Sequence, residues 1–517
     1  MFTFTLMLTQ FQAHEFTFSD LLILIMSLFI SSCLLQKMKN KDCPMIWPVM
    51  GIIPTWVFHI NDGYHWLTKS LITAGGSFRY QGMWMGRLHG IITADPSSVE
   101  YILKTNFKNF PKGKYYRERF FDLLGDGIFN ADGATWKEQR RAATAEMHTS
   151  SFSEYSFRSM QDLVARKLLE VLKEAVGRPV DLQEILLRFT FDNICVAALG
   201  VDPGCLAVEM PEVSFAKAFE EATELTMMRF MTPPFVWKTM KALKLGFEKR
   251  LELAVKIVHE FADNIVAERK VALCREDKRD LLTRLVKNEY LDEQGKKVHF
   301  TNKILRDFCV SFILAGRDTS SVGLAWFFWL VHLNPKVEHA ILEELKEVMS
   351  NQTYDSHDVV FTSDELVKKM MYLHAAISES LRLFPPVAVD LKEVIEDDVL
   401  PNGTRLDKGS RVIYSIFSMA RRESIWGEDC LEFKPERWLK DGKFVNVNSF
   451  KYPVFNAGPR LCVGKKFAFL QMKMVAAAIL SRYRVKVVEG HAVVPKITTT
   501  LYMKHGLMVI LEPRPKG

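Results

Sequence analysis

The sequence of 517 residues lacks the cysteine spacing of a disulfide framework or a zinc site. Its eight cysteines lie at positions 33, 43, 195, 205, 274, 309, 430 and 462, and no two of them form a CxxC pair. It also has no block of Lys or Arg, and 68 basic against 61 acidic residues leave a net charge of +7. These absences argue against a secreted disulfide-rich protein and against a nucleic-acid-binding protein. We expect a reduced chain that faces the cytosol.

Residues 1–15 contain no Lys or Arg. A cleaved signal peptide needs positive charge before its apolar run, so this absence argues against one. The run 16–35 holds a single charge, and twenty helical residues span about 30 Å, the thickness of one hydrocarbon core. Three lysines follow by position 41, which keeps the rest of the chain on the cytosolic side. The sequence therefore predicts a single-pass membrane anchor over residues 1–36.

Residues 37–59 are basic and rich in proline, which predicts a stiff spacer. Residues 60–517 show no repeat and no low-complexity segment, so we expect one large domain there. Its fold class is predicted as mainly α with small β-sheets. Amphipathic helical runs cover 152–176, 213–230, 245–275, 302–333, 335–350 and 364–383. Strand-like pieces lie near 77–80, 87–93, 387–395, 410–414, 484–488 and 493–511.

One segment matches the pattern F-x-x-G-x-R-x-C-x-G at all five fixed positions: it runs from Phe455 to Gly464 and includes Arg460 and Cys462. A thiolate bound to haem iron needs backbone N–H groups aimed at its sulfur, and glycines let the chain approach the ring closely. The apolar helix predicted over 467–480 places its N-terminus near that negative charge. Arg460 can pair with a haem propionate. We predict that Cys462 is the axial ligand of a haem iron. The alternative is a buried structural cysteine.

With this motif the chain resembles a cytochrome P-450, a haem-thiolate monooxygenase, and other motifs of that family follow along nearly the whole sequence. Glu379 to Arg382 resembles the family's E-x-x-R, which implies a buried pair joined by Arg437 of a P-E-R-x segment. Its role would be structural, and the alternative is a surface salt bridge of little value. Trp136 and Arg140 resemble the family's W-x-x-x-R, which implies hydrogen bonds to a haem propionate.

Residues 315–320 resemble the family's oxygen-activation motif, A/G-G-x-D/E-T-T/S. The resemblance implies that Gly316 makes room for haem and oxygen, and that Asp318 and Thr319 are catalytic and deliver protons. Thr319 could instead bond to a carbonyl of its own helix. Some animal fatty-acid hydroxylases carry a haem-linked glutamate where this chain has Ala315. The resemblance therefore implies haem b held by the thiolate and by non-covalent contacts.

Three segments look like the plant fatty-acid ω-hydroxylase branch of the family: 315–321, 326–329 and 455–460. This resemblance implies a long-chain fatty acid that is hydroxylated at its terminal carbon. The family's substrate-contacting regions supply apolar side chains here, namely Phe120, Phe121, Phe129, Met227, Met228, Phe230, Met231, Phe235 and Val387. Four basic residues could hold a carboxylate at a tunnel mouth, although a solvated face is the alternative: Lys112, Lys114, Arg117 and Arg119.

The sequence contains no Gly-rich dinucleotide fingerprint, so NADPH would act through a separate cytochrome P-450 reductase. The cations Arg141, Lys465, Lys466 and Lys473 lie near the motifs and could dock it. The expected location is the endoplasmic reticulum membrane. Alternatives are an in-chain hydroxylase or epoxidase of a lipid, a haem-thiolate hydroperoxide isomerase or dehydratase, and a haem sensor or carrier. The Asp318–Thr319 pair argues against the isomerase and dehydratase, because their chemistry needs no proton relay.

Overall fold

The helices dominate the structure. This computed structural model describes residues 18–39, 41–82, 89–272, 279–288, 290–291, 295, 297–350, 361–363, 365–496 and 498–515. Its α-helices are, in chain order, α1 Phe18–Lys39, α2 Ile53–Phe58, α3 Gly63–Thr73, α4 Pro96–Glu100, α5 Gly113–Leu124, α6 Gly133–Met147, α7 Ser150–Leu163, α8 Leu169–Glu174, α9 Leu182–Ile194, α10 Ser214–Met231, α11 Pro234–Ala242, α12 Gly246–Ala272, α13 Leu281–Lys287, α14 Asn302–Leu333, α15 Pro335–Ser350, α16 Met371–Leu383, α17 Ile416–Met419, α18 Glu423–Trp426 and α19 Lys465–Leu480. Single π-helical turns lie at Tyr101–Thr105, Val164–Leu168, Cys195–Leu199 and Glu365–Lys369, and 3₁₀ turns at Phe107–Asn109, Pro435–Trp438, Pro453–Phe455 and Gly458–Arg460.

The strands form small sheets. They are β1 Ser77–Gln81, β2 His89–Thr93, β3 Pro179–Asp181, β4 Tyr290–Leu291, β5 Lys297–Val298, β6 Val389–Glu393, β7 Asp398–Val399, β8 Arg405–Leu406, β9 Arg411–Ser415, β10 Leu439–Lys440, β11 Lys443–Phe444, β12 Tyr483–Val487 and β13 Met508–Pro513. The largest sheet has the order β1-β2-β9-β6, in which β2 and β9 are parallel and the outer pairs are antiparallel. A second sheet has the order β12-β13-β3. The predicted class, mainly α with small sheets, is confirmed.

Helix α14 runs through the middle of the core. The Thr301 side chain accepts from the Ile304 N–H and caps its first turn, and Asn334 before Pro335 ends it. Most of its side chains are buried, and α9, α12, α16 and α19 pack against it. A helix that is apolar on most of its circumference is stable only when other helices cover it. This packing explains why Arg317 and Asp318 lie deep in the protein.

Several predicted segments differ from the structure. The run 152–176 is split by a π-helical turn at Val164–Leu168. Of the run 364–383, position 364 lies outside the described residues, Glu365–Lys369 forms a π-helical turn and Met371–Leu383 forms α16. The strand predicted over 493–511 was wrong for most of its length, because among the residues described there only those of β13, Met508–Pro513, form a strand. Of the predicted strand 87–93, positions 87 and 88 lie outside the described residues, and the rest forms β2.

Helix α1 is long and apolar enough to cross a membrane. The window Phe18–Met38 has a mean hydropathy of 2.2, and none of it is buried against the rest of the protein. A soluble helix with so much exposed apolar surface would be unfavourable in water. The segment predicted as a stiff spacer, 37–59, includes the short helix α2 and an isolated bridge between Trp47 and Gly51.

Candidate active site

Cys462 lies on a turn immediately before α19. Its backbone N–H donates to the Phe455 carbonyl at 2.8 Å, which closes the loop on itself. The Gly464 N–H donates to the Cys462 sulfur, as the motif predicted. A Cβ at Gly458, where φ is +58°, would lie 2.1 Å from the Leu103 carbonyl oxygen, so this glycine lets the loop approach its neighbour. The loop therefore presents one sulfur atom within a fixed set of donors.

The Cys462 side chain is accessible, yet it sits in a recess of the protein. Burial by the surrounding chain raises the pKa of its thiol, and the Gly464 N–H, Arg140 and Lys465 act in the opposite direction. Arg140 donates to the Leu461 carbonyl and stays close to the sulfur. A backbone donor, two cations and the N-terminus of α19 all favour a thiolate. This donor set fits a haem iron ligand.

Cations for haem propionates lie beside this loop. Arg460 pairs with Asp132 at 2.8 Å and stacks over the Trp136 ring, with its guanidinium carbon 4.1 Å from the ring centre. Trp136 itself is buried on α6. Arg460, Trp136 and Arg140 are thus on one side of the Cys462 loop, where the resemblance places the propionate contacts. These residues fit the acidic edge of a haem.

A buried ionic cluster next to Arg460 was not found from the sequence. Asp390 on β6 binds Lys112 at 2.8 Å, Lys392 at 2.9 Å and the Tyr414 hydroxyl at 2.6 Å. Burial alone would raise the pKa of Asp390, but Lys112 and Lys392 hold it well below its usual range. Burial lowers the pKa of Lys392 to about 7. The cluster has two lysines for one aspartate, so it has spare positive charge beside the site. The signal present in the sequence is that Asp390 and Lys392 stand at alternate positions of β6, which places both charges on one face of the strand.

The E-x-x-R pair is fully buried. Arg382 donates to both carboxylate oxygens of Glu379, at 2.8 Å each, and Arg437 reaches one of them at 3.3 Å. The Trp438 indole N–H donates to Glu379 at 2.9 Å. Arg382 also donates to the Cys430 carbonyl at 2.8 Å. The structure thus brings Glu379, Arg382 and Arg437 together and ties α16 to the segment that precedes the Cys462 loop.

The middle of α14 carries the proposed proton-delivery residues. The Thr319 hydroxyl donates to the Ala315 carbonyl at 2.7 Å, so the helix-bonded alternative is present, and the hydroxyl oxygen can still accept. Asp318 is 1% exposed and pairs with Arg317 at 3.1 Å. A Cβ at Gly316 would lie 2.4 Å from Ile194 Cγ1, so this glycine is required by the contact between α14 and α9. That packing role could not be predicted from the sequence.

Asp318 is connected to a cleft at the protein surface. Burial raises the pKa of its carboxyl, while Arg317 and the hydroxyl of Tyr502 act in the opposite direction. Arg317 also reaches Glu220 at 3.4 Å, and Glu220 is half exposed. A cleft of about 220 Å³ is lined by Glu220, Arg317 and Tyr502 among others. Asp318 is therefore separated from solvent by one layer of polar side chains.

The proposed substrate-contacting residues lie in different environments. Phe120 is buried, whereas the following side chains are more than a third exposed: Phe121, Phe129, Met228, Met231 and Phe235. Phe120 and Phe230 contact each other, with their ring centres 5.5 Å apart. Trp326 belongs to the core, because it stacks on Phe384 at 3.9 Å and donates to the Leu501 carbonyl at 2.7 Å. The aromatic cluster 326–329 therefore contributes to packing.

The residues considered for reductase docking do not form one exposed set. Arg141 and Lys466 are exposed, and Lys465 is half-buried. Lys473 is 2% exposed, and burial lowers its pKa to about 8. The prediction that Lys473 docks a partner was wrong, since its ammonium cannot reach another protein.

Comparisons with known proteins agree with this geometry. The family model for cytochrome P450 matches residues 43–513. Cytochrome P450 86B1 of Arabidopsis thaliana is 49% identical over 506 residues, covering 95% of this chain and 89% of that protein. Cytochrome P450 94A1 of Vicia sativa is 40% identical, covering 87% of this chain and 85% of that protein. Noroxomaritidine synthase 2 of Narcissus pseudonarcissus is 35% identical, covering 96% and 97%. With this match and a cysteine loop suited to thiolate-bound haem b, the chain belongs to the cytochrome P450 family of oxidoreductases and is a monooxygenase.

Proposed function

We propose that this protein hydroxylates the terminal carbon of a long-chain fatty acid. The observation that carries the substrate class is the resemblance of 315–321 and 455–460 to the plant fatty-acid ω-hydroxylase branch, and the 49% identity to cytochrome P450 86B1 supports it. Relatives at 35% identity carry the name of an enzyme with a different product, so family membership alone does not assign the substrate.

Cys462 would hold the haem, and Arg460, Arg140 and Trp136 would hold its propionates. A thiolate-bound haem supplies oxygen binding and O–O cleavage. Asp318 is the proton donor on this side of α14, since the polar groups of the cleft connect its buried carboxylate to solvent. Thr319 accepts the proton at its hydroxyl oxygen and passes its own proton into the site.

Terminal attack requires that the protein present the chain end and withhold the next carbon, because the terminal C–H bond is the stronger one. The turn 385–389 fits a constriction. Pro385 and Pro386 are buried, and the Pro386 carbonyl accepts from the Leu501 N–H at 2.9 Å, which holds the turn against the chain near 501. Val387 is half-buried at its tip.

The test is product analysis of the full-length protein in microsomes with reductase, NADPH and a panel of fatty acids. We expect ω-hydroxy acids as the main products. Val387→Ala should move oxidation toward the ω-1 and ω-2 positions. A product set dominated by in-chain alcohols or epoxides would refute ω-hydroxylation, and conversion of hydroperoxides without NADPH would favour an isomerase or dehydratase.

Electrons would come from NADPH through a membrane-bound reductase at the endoplasmic reticulum, on the Cys462 side. Lys465 and Lys466 begin α19 next to this loop, and Lys466 is exposed. Opposite charge on a partner raises the association rate, and salt weakens that effect. Lys466→Glu should therefore lower the rate of reduction and its salt dependence. Lys486→Glu, at a half-exposed lysine on β12, is the control.

A further inference from the structure

Two buried arginines of this chain have guanidinium nitrogens without a partner. Arg119 on α5 is 2% exposed and Arg411 at the start of β9 is 8% exposed. Arg119 Nη2 and Arg411 Nε and Nη1 have no hydrogen-bond partner among the described residues. A buried cation normally pairs with a carboxylate, since leaving it unpaired costs several kcal/mol. Three unpaired N–H-bearing nitrogens in one region therefore indicate a missing anion.

Tyr115 joins the two arginines. The guanidinium carbon of Arg119 lies 3.5 Å from the centre of the Tyr115 ring, and that of Arg411 lies 3.7 Å from it. Two planar groups this close to one ring centre must lie on its opposite faces. The Tyr80 hydroxyl on β1, which is separated from β9 by β2, bonds to Arg411. Stacking on an aromatic face offsets part of the cost of burying a cation, but it satisfies none of the N–H groups.

The two cations repel each other. Burial lowers the pKa of Arg119 to about 10, and Arg411 contributes in the same direction. The nearest carboxylate on the helix, Glu118, is already bound to Lys238 at 2.9 Å. Among the described residues, no Asp or Glu forms an ion pair with Arg119 or Arg411. The region thus holds an excess of positive charge that a carboxylate from outside the chain would neutralise.

The neighbouring basic residues already have carboxylate partners within the chain, whereas Arg119 has none among the described residues. Lys112 binds Asp390 at 2.8 Å, Lys114 lies 3.7 Å from Glu118, and Arg117 lies 3.3 Å from Asp126. Of the four basic residues that the sequence offered for a carboxylate, Arg119 is the one without an ion pair among the described residues, although Arg117 Nε also lacks a hydrogen-bond partner there. Arg411 was not considered, because it is distant in the sequence and is brought near by the pairing of β9 with β6, which packs against α5.

Apolar side chains at the end of α10 lie beside Arg119. Arg119 Nε donates to the Arg229 carbonyl near the end of α10, and Phe230 contacts Tyr115 with ring centres 5.8 Å apart. Met228 and Met231 on the same helix end are exposed. Exposed apolar side chains beside buried donors suit a ligand with a hydrocarbon chain and a charged head.

We propose that Arg119 and Arg411 bind the carboxylate of the long-chain substrate and that they determine the preference for acids over alcohols and esters. This inference rests on the proposed function and specifies the residues that recognise the acid. Hydrogen bonds from a guanidinium to a carboxylate are charge-assisted, and a buried anion beside these two cations is strongly favoured over an uncharged head group.

The experiment measures binding through the ligand-induced shift of the haem absorption band, using hexadecanoic acid, hexadecan-1-ol and methyl hexadecanoate. Arg411→Met is the main variant, because Nε and Nη1 of Arg411 hold nothing in the folded protein. We expect about tenfold to hundredfold weaker binding of the acid and less than about twofold change for the alcohol and the ester. Lys114→Met removes an exposed charge from the same helix and should change none of the three affinities.

Thermal unfolding separates recognition from a structural role. Arg411→Met should have a stability close to that of the wild-type protein, since removal of an unpaired buried charge offsets the loss of the contacts with Tyr80 and Tyr115. Arg119→Lys is the second variant, because its charge is kept while the planar fork is lost, and it should also weaken acid binding alone. Equal losses for acid and alcohol, or no loss for the acid, would overturn the inference. A wild-type protein that binds no fatty acid would overturn the proposed function and this inference together, whereas normal ω-hydroxylation by Arg411→Met at unchanged acid affinity would overturn only the inference.

Discussion

Arg382 directs two parallel N–H groups at the two carboxylate oxygens of Glu379, and neither side chain is exposed to solvent. The pair is joined by Arg437 and the Trp438 indole, so each carboxylate oxygen of Glu379 accepts from at least two donors. Breaking a buried ion pair from one side leaves an uncompensated charge, which is far more costly than losing a surface pair.

Glu379→Gln should lower the free energy of unfolding by about 3–5 kcal/mol, because Arg382 and Arg437 lose their shared anion. Urea unfolding of the purified protein measures this change. The control is Glu154→Gln, an exposed pair with Arg158 one helical turn away, for which a change within about 0.5 kcal/mol is expected. Equal midpoints for the two variants would show that the buried pair contributes no more than a surface one.

Cys462→Ala should abolish the far-red-shifted absorption band of the reduced carbon monoxide complex, since that band reports thiolate ligation. Cys43→Ala, at a half-buried cysteine in another part of the chain, should keep it. Retention of the band in Cys462→Ala would show that the ligand is a different residue.

Thr319→Ala should keep haem and substrate affinity but lower product formed per NADPH consumed by about tenfold, with the electrons appearing as hydrogen peroxide. Ser321→Ala is a matched control, because the Ser321 hydroxyl also bonds to carbonyls of α14, at 3.0 Å and 3.1 Å. If both variants are fully coupled, proton delivery does not pass through Thr319. If Thr319→Ala loses haem, the hydroxyl has a structural role.

Asp390→Asn should destabilise the protein by about 3–5 kcal/mol, because Lys112 and Lys392 would share a buried site without an anion. Adding Lys392→Met should recover part of this loss, since it removes one of the two unpaired charges. Urea unfolding of the two variants gives the comparison. A double variant less stable than Asp390→Asn alone would mean that Lys392 stabilises the fold through contacts other than Asp390.

His374 should make stability depend on pH below neutrality. Burial against Phe444 and Phe469 lowers its pKa to about 3, and the unfolded value is about 6.5. Between these two values the unfolded chain binds a proton that the folded protein does not, so stability falls as pH drops below about 6.5, by at most about 1.4 kcal/mol per pH unit.

His374→Phe removes that titration and should flatten the curve. The measurement is the urea midpoint of both proteins at several values between pH 5 and pH 7. Parallel curves for the wild-type protein and His374→Phe would show that His374 is protonated as easily when folded as when unfolded.

Helix boundaries were predicted best where a capping residue or a proline marks them. Helices α14 and α15 begin and end at the predicted positions, because Thr301 caps the first and Asn334-Pro335 separates the two. Helix α9 was missed, since it is buried on nearly every side and shows no clear polar face. Residues 493–507 look strand-like by composition, yet the described residues 493–496 and 498–507 follow an irregular path apart from one bridge between Pro495 and Met503.

The residues of the site also differ in how well the sequence predicted them. The Cys462 loop was predicted from the sequence, because the residues that shape this turn are close together in the chain. The cluster of Asp390, Lys392 and Tyr414 was not predicted, because these residues find their partners in distant segments of the chain. In the sequence, the charges of Asp390 and Lys392 look like those of an exposed strand. Lys473 shows the reverse error, because a lysine near a motif can be buried when its helix packs against the core.

Helix α1 and the short tether that follows it have a consequence for how the enzyme would meet the lipid substrate that we propose. Residues 40–52 join α1 to α2, and fully extended they reach about 45 Å at most. With α1 in a bilayer, the catalytic domain stays close to the membrane, and a lipid substrate arrives by lateral diffusion in two dimensions. The rate then follows the mole fraction of substrate in the membrane. Adding inert phospholipid at a constant total amount of enzyme and substrate should slow the reaction, although no molar concentration in the tube has changed.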